Sequence, residues 1–209
     1  LRKQWPESCQ ALGYEPDIYQ IHSATLDSGV LDNAKVLDAL ARIREKGIRI
    51  GFSTSGPRQA DIIRKALQVQ RNGRRLFDAV QATFNLLETS AAEALREAHS
   101  QGLTVIIKEA VANGRLTSRA LAGQVPENLQ AMAQQAHRQH VGLDAVALAF
   151  VARQPFTDRV LSGAATYGQL RQNLDAKKVL WDADMEMLAH ALAEIPTQYW
   201  EKRKKLPWN

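Results

Sequence analysis

With 209 residues, 45% of them hydrophobic and 23% charged, the chain has the composition of an ordinary soluble globular protein and the length for one sizeable core. No run approaches the roughly 18 apolar residues of a membrane helix, no signal-peptide pattern opens the chain, and a single cysteine, Cys9, excludes an internal disulfide or a multi-cysteine zinc site. The formal net charge of +5 is dispersed rather than gathered into a stripe beside aromatics, which argues against a nucleic-acid partner and leaves one cytoplasmic domain over 1–209 as the expectation.

Leu1 to Leu12 reads as a helix, with Trp5, Cys9 and Leu12 at helical spacing and Gly13 to stop it. Nothing upstream accounts for that apolar face, so the chain is expected to begin in mid-fold. After Pro16, Asp17 to His22 is a strand in which Ile18, Tyr19 and Ile21 favour extended backbone and alternation puts Ile18, Gln20 and His22 on one face. A polar residue closes it. Asn33 to Lys46 carries Val36, Leu37, Leu40 and Ile43 at helical spacing and is capped by Gly47. Ile48 to Ser53 is the next strand and Gln59 to Val69 the next helix. The basic run Arg71 to Arg75 reads as a solvated loop. Phe77 to Gln81 is a strand, Ser90 caps a helix over Ala91 to Ser100, and Leu103 to Ile107 is a continuous apolar run of the kind parallel sheets bury on both faces.

The rhythm then changes. Asn113 to Gly123 reads as a loop with one helical turn, followed by helices over Pro126 to Gln139 and Leu143 to Arg153. Arg159 to Leu161 is a short strand, and helices follow over Tyr167 to Ala176, Met185 to Leu192 and Thr197 to Arg203. The basic run Lys202 to Lys205 falls on a solvated helix end or tail.

Strands alternating with helices predict an α/β fold with a parallel sheet and right-handed crossovers. Gly-x-Gly-x-x-Gly is absent after the first strand, which favours part of a (β/α)8 TIM barrel, with about five parallel strands and flanking helices, over an open dinucleotide-binding sheet. The carboxyl ends of those strands carry His22, then Ser53 and Thr54, then Gln81, then Lys108 and Glu109, then Gly163 with Thr166 beyond. In a barrel such ends converge on the rim that holds the active site.

Gln20-Ile21-His22, Gly51-Phe52-Ser53, Val80-Gln81 with Phe84-Asn85, Gly114-Arg115-Leu116-Thr117, and Gly163 followed by Gln169-Leu170 and Asn173-Leu174 resemble, in order and approximate spacing, the landmarks of the aldo-keto reductases. The resemblance runs over nearly the whole chain and implies an oxidoreductase that moves hydride between NADP(H), or NAD(H), and a small carbonyl or alcohol substrate. It implies that His22 is the active-site histidine that orients and polarises the carbonyl. It implies that Ser53, with Thr54, and Gln81 hold the nicotinamide carboxamide. Lys108 falls beside the nicotinamide. The stretch from Gly163 to Thr166 leads toward the cofactor phosphates at the amino terminus of the following helix, and Gln169, Gln172 and Asn173 face the adenosine end.

The sequence also departs from that family. The proton-donating tyrosine, its lysine and its aspartate come from the part of the barrel before the histidine strand, and Tyr14, Tyr19, Tyr167 and Tyr199 do not occupy the matching motif. Thr54 stands where an asparagine is common, and Lys108 stands where many members place an aromatic ring. The chain is therefore expected to be incomplete at its amino terminus and incompetent alone, with an open sheet edge that invites self-association or a complementing amino-terminal chain. The alternative expectation is a non-catalytic nucleotide-sensing or protein-interaction subunit of the same fold.

Overall fold

The structure, a computed structural model, describes residues 1, 3–12, 16–117 and 125–206. Gly13, expected to end the first helix, and the later part of the Asn113 to Gly123 loop lie outside them. The main sheet has five strands in the order β1-β2-β5-β6-β7, with β1 Ile18–Ala24, β2 Arg49–Thr54, β5 Ala79–Thr83, β6 Thr104–Lys108 and β7 Arg159–Val160. A second, two-stranded sheet pairs β3 Gln70–Arg71 with β4 Arg74–Arg75. The chain divides into two compact units, the first comprising Leu1–Ala82 and Glu93–Ile106, the second Thr83–Ala92 and Ile107–Asn209. No helix among the described residues is long and apolar enough to cross a membrane.

In the first unit β1, β2 and β5 are parallel, with Gln20 opposite Gly51 and Ser53 opposite Gln81. The alternation expected for β1 holds for Ile18 and Gln20: a Cβ at Gly51 would lie 2.9 Å from Gln20 Cγ and 3.1 Å from Ile18 Cγ2, so these two cover one face of β2. Glycine at 51 is required by that approach. On the other face Ile50 and Phe52 are fully buried, with Phe52 edge-on to Phe77 at 4.9 Å. Helix α2, Ala34–Arg44, is capped by Asn33 and buries Leu37, Leu40 and Ile43, while α3, Gln59–Leu67, buries Ile62, Ile63 and Ala66. Helix α1, Gln4–Leu12, buries no residue completely, and Trp5 meets Tyr19 edge-on at 5.1 Å. Asp78 ties the strand starts together. Its carboxylate accepts from Ile50 N and Arg44 Nη2, and its carbonyl accepts from Thr104 N.

Two expectations about this unit are corrected. The first strand runs past His22 to Ala24, because a register shift between Ile21 and Ala24, with Ser23 at φ 50, lets the chain continue pairing after the histidine. The run Arg71 to Arg75 is a hairpin rather than a loop, turned by Asn72 and Gly73 at φ 54 and 72. Asn-Gly is the pair a two-residue hairpin with positive φ at both turn positions demands. Nor is it merely solvated, since Arg71 pairs with Asp38 and Arg75 donates to the Phe77 and Gln101 carbonyls.

Helix α4, Ala92–Ser100, has its terminal residues in different units and buries Ala94, Leu95 and Ala98. In the second unit α5 is Glu127–Arg138, α6 Leu143–Ala152, α7 Tyr167–Leu174, α8 Ala183–Leu192 and α9 Pro196–Lys204. Its core gathers Phe84, stacked on Phe150 at 5.5 Å and edge-on to Phe156 at 5.3 Å. Helix α6 is buried along most of its length, whereas α7 buries no residue completely. Ser90, expected as a helix cap, instead donates its hydroxyl and its N–H to the Glu88 carboxylate.

Candidate functional site

In the first unit His22 is exposed on β1, within the bulge between Ile21 and Ala24. Ser53 sits at the end of β2 with only 3% of its surface exposed, and its Oγ accepts a hydrogen bond from Ser23 N at 2.8 Å. That bond pins the left-handed residue that follows the histidine. It uses an acceptor site and leaves the Ser53 hydroxyl proton to donate. Gln81, half-buried, is the direct register neighbour of Ser53 and shares its face of the sheet. One hydroxyl and one primary amide therefore stand side by side. Thr54 is not with them: it is fully buried, and its hydroxyl bonds Gln59 Oε1 at 3.3 Å at the start of α3. Successive strand residues point to opposite faces, which is why the Ser53 and Thr54 pair divides.

The second unit holds the remaining strand-end residues. Gly163 has φ 67 and nothing within 4 Å of the place a Cβ would take, so the loop after β7 offers open backbone to a ligand. Thr166 caps α7 in a reciprocal capping box: Thr166 Oγ1 accepts from Gln169 N at 3.2 Å, and Gln169 Oε1 accepts from the N–H groups of Ala165 and Thr166 at 2.8 and 3.1 Å. Asn173 Nδ2 donates to the Ser162 carbonyl at 3.1 Å, and Gln172 is exposed. Thr166, Gln169 and Asn173 thus shape the loop themselves. Their remaining polar atoms are what a ligand would meet.

Lys108 ends β6, with Glu109 Oε1 3.9 Å from its Nζ. Adjacent strand residues ordinarily face apart, and the pair meets because Glu109 is at φ 57 and the strand stops at the lysine. Glu109 has a stronger partner in Arg203 of α9, which donates to both carboxylate oxygens at 2.6 and 3.2 Å. The expectation of a solvated basic run at Lys202 to Lys205 is corrected at Arg203, whose side chain is only 15% exposed, while Lys202, Lys204 and Lys205 are exposed. Asn85 Nδ2 donates to the Glu109 carbonyl at 2.9 Å and to Tyr199 Oη at 3.0 Å, and its Oδ1 accepts from Leu87 N and Glu88 N. This buried amide fixes the chain around Glu109 and Glu88. Sequence reasoning passed over Asn85 and Arg203 as site residues, although Asn85 stood within one of the quoted motifs.

Electrostatics follow burial. Burial raises the Tyr199 pKa far above the ordinary phenol range despite the bond from Asn85. Burial also raises that of Glu88, with hydrogen bonds from Ser90 opposing it. For Glu194, burial acts upward but is outweighed by Arg115 and Lys202, which bond the carboxylate at 2.5 and 2.9 Å and hold its pKa low.

A family model described as "Aldo/keto reductase family" matches residues 1–193. Among solved structures, the chain is similar to the holo form of aldo-keto reductase AKR11C1 from Bacillus halodurans, with a TM-score of 0.67 and 20% identity over 92% of this chain and 66% of that one. The apo form of the same protein gives 0.69 and 18% identity over 93% of this chain and 68% of that one. The chain therefore spans about two thirds of the length of that reductase. No curated protein matches by sequence.

Proposed function

The chain belongs to the aldo/keto reductase family, and from that premise we propose that residues 1–209 form one domain serving as the cofactor-holding portion of an NADP(H)-dependent carbonyl reductase or alcohol dehydrogenase, with NAD(H) as the alternative cofactor. The observation that carries the reading is the pairing of Ser53 with Gln81 at neighbouring strand ends on one face of the first unit. A primary carboxamide needs a donor and an acceptor in one plane. The free Ser53 proton and the Gln81 amide meet that need, so this chain's residues fit the nicotinamide end of the cofactor, with Thr54 excluded by its bond to Gln59. Bound nicotinamide would supply the hydride.

His22, exposed at the bulge that Ser53 holds, is assigned to donate a hydrogen bond to the substrate carbonyl. In the second unit, the open backbone at Gly163 and the amino terminus of α7 suit the phosphates, and Gln172 and the unused atoms of Gln169 and Asn173 suit the adenosine end. Lys108, at the end of β6 in the second unit, is assigned to cofactor binding there.

The test is nucleotide binding, followed by quenching of the four tryptophans. Ser53→Ala and Gln81→Ala should each weaken binding about 5- to 10-fold, the scale of one lost hydrogen bond. Unchanged affinity in both removes the carboxamide role. Where the barrel is complete and turns over, His22→Ala should cost roughly 10²- to 10⁴-fold in rate.

A second reading, a nucleotide-sensing subunit without turnover, is favoured by the state of the tyrosines. Tyr199 is completely buried and committed to Asn85, Tyr19 packs on Trp5, and Tyr167 is 80% exposed on a helix. Burial holds the phenol proton more tightly on Tyr199 and on Tyr19. Nucleotide binding without turnover by the chain alone would support this reading, and the same result is expected if the proton donor comes from a complementing amino-terminal piece. Turnover restored by adding such a piece decides for the enzyme.

A further inference from the structure

Asn-Gly occurs twice in the chain, each time followed by arginine: Asn72-Gly73-Arg74 and Asn113-Gly114-Arg115. The two copies share more than their residues. Asn72 and Asn113 are both exposed and both left-handed, at φ 54 and 53, and their glycines have φ 72 and 88 with nothing within 4 Å of the place a Cβ would take. What separates them is the glycine N–H. Gly114 N donates to the Val111 carbonyl at 3.1 Å, and the Gly114 carbonyl accepts from Thr117 N and Thr117 Oγ1 at 3.2 and 2.8 Å. Gly73 N, at the tip of the β3 and β4 hairpin, makes no hydrogen bond among the described residues. The Asn72 side chain is held by one solvent-exposed bond, from Nδ2 to Glu45 Oε1 at 3.1 Å.

We propose that Asn72 is a site of spontaneous deamidation, and that the fold confines the reaction to this one of the two Asn-Gly pairs. The Gly73 backbone nitrogen attacks Asn72 Cγ. An N–Cγ bond forms, the Cγ–Nδ2 bond breaks, and Nδ2 leaves as ammonia with the Gly73 amide hydrogen. Water then opens the cyclic imide at either carbonyl, giving aspartate or isoaspartate at position 72, and nothing is oxidised or reduced. The attack is intramolecular, so its rate follows how often the N–H is free and unobstructed, and glycine has no Cβ to stand in the way. Both products remove the donor to Glu45 and set a second carboxylate beside it, in a chain of formal net charge +5. Isoaspartate also routes the main chain through the side-chain carbons, lengthening a turn whose two-residue span fixes the pairing of Arg71 with Arg74.

The experiment incubates the full chain at neutral pH and physiological temperature, native and in concentrated urea. Both Asn-Gly peptides are followed over time by mass spectrometry, with chromatographic separation of aspartate from isoaspartate. An ordinary backbone hydrogen bond suppresses the free N–H about 5-fold. In the native chain Asn72 should therefore convert at least about 5-fold faster than Asn113, with isoaspartate among the products, and in urea the two rates should converge. Conversion of Asn113 as fast as Asn72, no conversion at Asn72, aspartate as the sole product, or a preference that survives in urea overturns the proposal. The reaction needs no nucleotide, so each outcome is independent of whether the chain reduces carbonyls.

Discussion

Glu88 shows how a single residue sets a pH dependence. It has no exposed surface, and Ser90 supplies the two hydrogen bonds to Oε1. Desolvation raises its folded pKa above the unfolded value of about 4.3, so its stabilising contribution is complete below that value and is lost as pH rises through the folded pKa. Glu88→Gln removes a charge that the interior penalises. The variant should gain stability relative to the parent as pH increases from about 4 to 7, seen as converging or crossing urea midpoints. Parallel midpoints across that range would show that Glu88 does not titrate there. Ser53 illustrates a different point: its strand-end position was legible in sequence, but its bond to Ser23 was not, because the bulge depends on how β1 pairs with β2.

Among the elements, α7 has the most to lose from one side chain. It buries no residue completely, and the capping box of Thr166 and Gln169 is its main local support. Removing a threonine cap typically costs about 1 kcal/mol. Thr166→Ala should therefore speed amide exchange in α7 about 5-fold while leaving the strands unchanged, and unaltered exchange would show the cap to be idle. Helix α9 is the opposite case. Its Arg203 and Tyr199 reach Glu109 and Asn85, residues 94 and 114 positions earlier. Helical spacing made α9 legible, yet nothing local distinguished Arg203 from its solvated neighbours. The hairpin of β3 and β4 did carry a local signal in Asn72-Gly73, hidden by the charge of the surrounding arginines.

For the molecule as a whole, β1 and β7 stand at the two ends of the strand order, each with one side unpaired among the described residues. In the second unit Leu161, Tyr167, Leu170 and Leu174 are exposed by 45%, 80%, 46% and 54%, with the last three repeating along one side of α7. Open edges and apolar stripes favour association. The isolated chain should sediment with a concentration-dependent mass, and Leu170→Lys with Leu174→Lys should reduce it. A compact monomer with little dye-accessible apolar surface at all concentrations would refute the open-edge reading. Residue order by itself determined the alternation of strands and helices, the parallel α/β class, and the polar residues at strand ends, because pleat alternation, helical period and backbone propensity act over a few positions. Only the tertiary structure decided what those residues touch: Thr54 turned to Gln59, Gln169 used up in a cap, and Glu109 claimed by Arg203 ahead of its neighbour Lys108. Such partners are chosen by packing between distant segments, where the lowest-energy arrangement of buried charge and hydrogen bonds depends on every element that reaches the spot.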